Sequence, residues 1–123
     1  MESNELGAEH ARAIFGAFDR QDIDALPALM TDDVRLQIGN TDVVTGKAAF
    51  EQSLIAFFDS VAGFRHKIVE VWSDGDALIT ELEVRYTRLD GSSIALPCCN
   101  VFRLRDSLVA DYRVYMDINP VYE

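Results

Sequence analysis

The chain has 123 residues, 49% of them hydrophobic, and a formal net charge of −10. That length suits one domain with its own core, and so large an apolar share excludes an intrinsically disordered chain. The acidic balance, with eleven Lys and Arg scattered along the chain and no basic patch, argues against nucleic acid and anionic membrane surfaces as partners.

From Glu9 to Arg20 the apolar positions Ala11, Ile14, Phe15 and Phe18 fall at the i, i+3, i+4, i+7 spacing of a helix with one buried face. Gln21-Asp22 breaks it, and Asp22 or Asp24 is placed to cap a short second helix running to Met30. Thr31-Asp32-Asp33 reads as a stop. Val34, Leu36 and Ile38 then alternate with Arg35 and Gln37, which predicts a short half-buried strand, and Gly39-Asn40-Thr41-Asp42 a turn. Thr45-Gly46 precedes a third helix over residues 47–60 with the stripe Phe50, Leu54, Phe57, Phe58 and Val61.

Beyond Phe64 the period changes to two. Residues 64–72, 77–88, 92–105 and 108–117 read as four long strands, joined by linkers short enough to force antiparallel hairpins. Helices followed by a meander give an α+β class, and no linker or repeat interrupts a single domain over residues 1–123. The last segment, LVADYRVYMDINP, puts Tyr112, Val114 and Met116 on one face and Arg113, Tyr115 and Asp117 on the other, before Pro120 stops it. The first face is expected to line an interior, and the second to pack on a partner sheet or a second subunit.

No apolar run reaches the length of a membrane span, and the N-terminal MESNELGAEHARAI lacks a basic-then-apolar leader, so the expected location is the cytoplasm. Cys98 and Cys99 are adjacent in a strand and point to opposite faces, which disfavours a disulfide between them. No residue spacing suits a metal, and neither metal nor cofactor is expected.

The order helix, short helix, strand, helix, four long strands, with the segments ALPALMTDDVRL, VVTGKAAFEQSL and YRVYMDINP, resembles the nuclear transport factor 2-like superfamily, and within it SnoaL-like proteins. The resemblance implies an NTF2-like cone: a curved antiparallel sheet wrapped around three N-terminal helices, a deep apolar pocket open at one end, and a homodimer through the outer sheet face. Relatives include ketosteroid isomerases, polyketide cyclases, limonene epoxide hydrolases and binding proteins, so the fold alone does not give the function. Carried over by position, the epoxide hydrolase Asp-Arg-Asp set falls on Leu82, Val84 and Val114, and its water-positioning Tyr and Asn on Leu36 and Ile38. All five are apolar, which disfavours that mechanism. The isomerase base falls near Gln37 or Ile38, and the first helix offers phenylalanines where those enzymes use a tyrosine, which disfavours that one too.

With Tyr112, Val114 and Met116 inward, the same register turns Leu82, Val84 and Tyr86 inward on one neighbouring strand and Leu96 and Cys98 on another. Phe64 and His66 join from the strand that opens the sheet, and Leu36 and Ile38 complete the wall. Phe15, Phe18, Leu54 and Phe58 come from the helices. Such an interior, apolar with a few polar groups, is the usual composition of a small-molecule site. His66 is the sharpest candidate acid or base; the plainer reading is a core histidine bonded to a carbonyl or a tyrosine hydroxyl. Tyr86 and Tyr112 either orient a ligand oxygen or are wall residues with satisfied hydroxyls. Cys98 has no base nearby in sequence, and Asn100 and Arg103 read as surface polar residues. A shifted register or a bulge would instead turn Asp117 or Glu81 inward beside Arg113. Asp117 is the first carboxylate to name, because ligands enter a cone at its strand ends. In the cyclase relatives a sheet carboxylate removes a proton next to a carbonyl without metal or cofactor.

Two functions follow as expectations. One is a cofactor-independent isomerase, cyclase or dehydratase acting on a small apolar or polycyclic carbonyl compound, with catalytic His66, Asp117 and Tyr112. The other is a protein that holds a lipophilic ligand without turning it over. In either case Glu83, Arg113 and Tyr115 would be buried between the subunits of a homodimer.

Overall fold

The structure is a computed structural model that describes residues 2–123, with side chains from Gly7 onward. The helices are α1 (Glu2–Asp19), α2 (Ala25–Ala28) and α3 (Lys47–Asp59). The strands are β1 (Met30–Ile38), β2 (Val44–Thr45), β3 (Gly63–Asp74), β4 (Ala77–Thr87), β5 (Ser93–Arg105) and β6 (Leu108–Tyr115). A 3₁₀ turn, Asn119–Tyr122, ends the chain. The six strands form one curved, unclosed sheet in the order β2-β1-β6-β5-β4-β3, with the helices against its concave face, as in an NTF2-like cone.

Period-two alternation gave β3 to β6 their antiparallel pairing, since each hairpin turn is too short for any other return. The sheet is nevertheless mixed, because β1 lies parallel to β6. Such a pairing needs a long crossover, supplied by α3 and most of the meander, so no local signal announces it. Thr31-Asp32-Asp33 is not a stop but part of β1; Asp32 and Asp33 face solvent and the ladder shifts between Met30 and Arg35, so the acidic pair sits at an irregularity where its charge stays wet. Of the two capping candidates for α2, Asp22 accepts the Ala25 backbone N–H at 3.0 Å, and Asp24 makes no side-chain cap.

Two bulges set which side chains face inward. In β3, Ile68 pairs with Leu82 but Glu70 with Glu81, leaving Val69 unpaired. Phe64, His66 and Ile68 therefore share the inner face before the bulge and Val71 and Ser73 after it, while Trp72 is turned outward. In β6, Leu104 faces Val109 but Arg103 faces Asp111, so Ala110 is the extra residue and both Val109 and Tyr112 are inward. The final strand is shorter than its alternation predicts: it stops at Tyr115, and a 3₁₀ turn from Asn119, with Pro120 in its first turn, buries Val121. Arg88 holds that turn with its guanidinium, donating to the carbonyls of Pro120 (2.8 Å) and Val121 (3.0 Å).

Ile14, Leu26, Met30, Phe50, Leu78 and Phe102 are among the fully buried side chains of the core. Removing each from water contributes about 1.5–3 kcal/mol. The inner face is aromatic where α1 lies on β3: Phe15 stacks on His66 with centroids 4.8 Å apart, and Phe18 contacts Phe58, Phe64 and Tyr112.

Candidate functional site

The concave face and α3 leave a cavity of about 200 Å³ between them, smaller than the ~300–1,000 Å³ usual for ligand sites. Its wall is apolar: Leu36 and Ile38 from β1, Val84 from β4, Val114 and Met116 from β6 and its end, Phe18 from α1, and Leu54 from α3. The polar groups on it are few. They are His66, Tyr86, Cys98, Asn100 and Tyr112 on the sheet, and Thr41, Ser53 and Tyr122 from the turn, α3 and the chain end. Among the described residues, no Lys, Arg, Asp or Glu lines it. Thr41 and Tyr122 are exposed and mark the mouth; Asn100 is 2% exposed and lies at the depth.

His66 is held by a residue that its own sequence neighbourhood does not reveal. Asp19, the last residue of α1, places its carboxylate 2.7 Å from His66 Nδ1 and accepts the His66 backbone N–H as well, at 3.0 and 3.1 Å to its two oxygens. The bond to Nδ1 has the length of a charge-assisted contact. A carboxylate accepts, so a proton on Nδ1 satisfies this contact, and in the neutral imidazole that tautomer leaves the lone pair on Nε2. The side chain is only 10% exposed, packed between Phe15, Phe18 and Phe64, so its orientation is fixed from three sides. Asp19, 28% exposed, lies behind the imidazole rather than on the cavity wall. The plainer reading of His66, as a core histidine, expected a carbonyl or a tyrosine hydroxyl as its partner; in the structure the partner is the Asp19 carboxylate.

The two phenols and the thiol are neutral donors. Burial pushes the Cys98 thiol up to about 12, with the nearby Cys99 thiol adding to it. Burial likewise raises the Tyr86 and Tyr112 hydroxyls, each raised further by the proximity of Cys98. The Tyr86 hydroxyl donates to Met116 Sδ at 3.4 Å. A consequence follows for stability. Between the unfolded-state value, about 8.5 for Cys and 10 for Tyr, and the raised folded-state value, the unfolded chain has lost protons that the folded chain retains. Stability is therefore complete below about pH 8.5 and declines as pH rises through the window above it. Urea unfolding at pH 8, 9.5 and 10.5 is expected to give a falling midpoint that Tyr112→Phe partly restores; a flat midpoint would rule out neutral buried phenols.

The structure brings most of the expected wall together, but not all of it. Phe18, Leu36, Ile38, Leu54, His66, Val84, Tyr86, Cys98, Tyr112, Val114 and Met116 line the cavity. Phe15, Phe58, Phe64 and Leu82 are buried one layer behind, and Leu96 is packed against the core without reaching the wall. Asp117 is exposed and does not line the cavity; its carboxylate accepts the Asn119 backbone N–H at 3.0 Å at the start of the 3₁₀ turn. Arg113 faces outward, donating to Asp111 (3.1 Å) and Gln37 (3.3 Å), and Tyr115 and Glu83 are exposed on the same outer surface. Asn100 is the clearest correction: it is not a surface residue but a buried one on the wall. Parity carried the signal, since the alternation that turns Cys98 inward turns Asn100 inward too. Phe57, Ile118 and Tyr122 were also missed; the Tyr122 hydroxyl bonds Ser60 Oγ at 2.8 Å, a contact spanning 62 residues.

Comparisons with known proteins fit this architecture. A putative SnoaL-like polyketide cyclase from Jannaschia sp. CCS1 superposes with a TM-score of 0.84 at 16% identity, covering 99% of this chain and 92% of that one. An LEH-like epoxide hydrolase from M. tuberculosis gives 0.81 at 22% identity over 97% and 88% of the two chains. A protein with a ketosteroid isomerase-like fold from Catenulispora acidiphila gives 0.84 at 16% identity over 92% and 88%. At such identities the likeness is one of fold. No curated protein matches the sequence. The profile of the SnoaL-like domain, however, matches residues 11–112, and the chain belongs to that family.

Proposed function

We propose that the protein is a cofactor-independent general-base enzyme acting on a small, neutral, largely apolar carbonyl compound, as an isomerase, cyclase or dehydratase. The observation that carries this reading is the Asp19–His66 pair, which sets an oriented imidazole on the wall of a cavity that, among the described residues, no carboxylate or amine lines. In the proposed step His66 Nε2 takes a proton from the carbon next to the ligand's carbonyl. The electron pair of that C–H bond moves into the C–C bond, and the carbonyl π pair onto oxygen. Tyr112, and Tyr86 if it leaves Met116, donate to that oxygen. The imidazolium then returns its proton to a different carbon, or gives it to a β-substituent that the enolate expels with its bonding pair. No redox partner is needed, and the net charge of the site does not change, because the imidazolium and the enolate form together, with Asp19 stabilising the imidazolium.

A bicyclic ketone with an acidic benzylic position, 2-tetralone, is a suitable probe. In D₂O the protein is expected to accelerate exchange at C1, read by proton NMR. No acceleration above buffer, with the ketone demonstrably bound, would sink the enzyme reading. It would leave the second one, a lipophilic ligand carrier, which draws its support from the apolar Leu36, Ile38, Val84 and Val114 at wall positions where the epoxide hydrolases carry catalytic side chains.

A further inference from the structure

The segment that follows β6 supplies part of the cavity wall. Met116, Ile118 and Tyr122 line the cavity, while Asp117 and Asn119 between them are exposed. The backbone of this segment is fastened at both ends. At its start the Gly39 N–H donates to the Val114 carbonyl at 2.7 Å. At its end Val121 is buried, and Arg88 holds the Pro120 and Val121 carbonyls; a third hydrogen bond, to Ser92 Oγ at 3.1 Å, orients the guanidinium. The side chain of Tyr122 is fastened differently. It lines the cavity and yet is 54% exposed, so its ring stands between the cavity and solvent. Its hydroxyl meets Ser60 Oγ at 2.8 Å, and Ser60 Oγ donates to the Phe57 carbonyl at 2.6 Å. A hydroxyl has a single proton to give, so Tyr122 is the donor in its bond to Ser60. That bond ties the ring to the C-terminal end of α3, the helix whose Phe57 also lines the cavity.

We propose that Tyr122 sets the size of the occupant: held against Ser60, its ring closes the exposed end of the cavity and limits it to a bicyclic compound, and release of that one hydrogen bond opens the way in. The inference rests on the cavity being a ligand site but not on turnover, because it concerns admission. Three features agree with it. A cavity of about 200 Å³ is filled by a bicyclic compound and is well short of what a tetracyclic one needs, since packed interiors tolerate neither overlap nor large voids. The Tyr122–Ser60 bond is neutral and exposed, so water replaces it at little net cost, and the ring turns about its own side-chain bonds without moving the backbone that Arg88 holds. The wall elsewhere does not yield so cheaply: Leu36, Val84 and Val114 are fixed in the strand ladder, and Leu54 is buried on α3.

The probes are tetralin, the hydrocarbon counterpart of 2-tetralone, and testosterone, a rigid tetracyclic ketone. Titration calorimetry on the wild-type protein is expected to show tetralin binding and testosterone at least about 100-fold weaker, the consequence of steric overlap at a closed end. In Tyr122→Ala, testosterone should gain at least about ten-fold, while tetralin loses no more than about three-fold with the one wall contact removed. Tyr122→Phe and Ser60→Ala keep the ring and delete its bond. Proton NMR line shapes of tetralin should then show association and dissociation both faster by about ten-fold at unchanged affinity, the factor that one hydrogen bond supplies. A tyrosine that merely anchors the chain end would lower the denaturant midpoint and leave size selection and exchange rates alone. Testosterone binding the wild type as tightly as tetralin, or still excluded from a Tyr122→Ala that binds tetralin, overturns the inference and leaves the ligand-site reading standing; unchanged exchange rates in both Tyr122→Phe and Ser60→Ala do the same. If tetralin does not bind the wild type, the ligand-site reading fails and the inference with it.

Discussion

Asp19→Asn is expected to slow exchange of 2-tetralone by about 10–10²-fold, and His66→Ala to slow it by about 10²–10⁴-fold, the range over which a positioned general base acts. The difference reflects their places. His66 would touch the reacting proton, whereas Asp19 acts through it, as a positioning residue behind the imidazole. An asparagine side chain can present an N–H to Nδ1 as readily as an oxygen. Part of the population would then carry the ring proton on Nε2, the nitrogen that must be free to accept. A purely structural role for Asp19 predicts something else: because its carboxylate also holds the His66 backbone N–H, losing it would weaken folding and ligand binding together. Three readouts separate the cases. Tetralin affinity should be unchanged in Asp19→Asn, the ring-proton NMR signal should report the altered tautomer, and Asp19→Glu should recover part of the rate. Equal rates for wild type and Asp19→Asn at every pH would remove the pair from the mechanism.

The Asp19 result bears on how much of the site a sequence can disclose. Alternation and short turns made β3 to β6 legible, and with them the inward parity of Tyr112, Val114 and Met116. The helical stripes led to Phe18 and Leu54 in the same way. What was hidden falls into two physical kinds. Some contacts are tertiary and leave no local trace: Asp19 meets His66 across 47 residues, and β1 meets β6 across the whole meander. Others had a signal that a stronger habit overrode. Asp32-Asp33 suggests chain reversal, yet a strand tolerates two carboxylates where a bulge keeps both in water. Asn100 was set aside as polar, although its parity was that of Cys98. Asp117 shows the converse error, since a strand-end carboxylate looks catalytic until the strand stops two residues early and the side chain is used to start a turn.

Phe102→Ala is expected to destabilise the fold by about 3–5 kcal/mol, the largest effect of any single side chain considered above. The ring is fully buried on β5, 4.4 Å from the Tyr112 centroid and 6.0 Å from that of Phe15. Phe15 in turn stacks on His66. A domain of this size has about 5–15 kcal/mol in total, so the variant would populate the unfolded state measurably near 37 °C. Phe102→Leu, which refills much of the volume, should lose no more than about 1.5 kcal/mol. The two substitutions also divide stability from function, because the same ring supports a proposed base on one side and a proposed oxygen donor on the other. If Phe102 backs both, Phe102→Leu should retain most of its stability and still lose exchange rate by about ten-fold, as small displacements of reacting groups do. Denaturant unfolding and tetralone exchange on one preparation decide this. A stable Phe102→Leu with undiminished exchange would mean that the imidazole and the phenol are held by Asp19 and the strand ladder alone, and that the aromatic layer behind them serves only the fold.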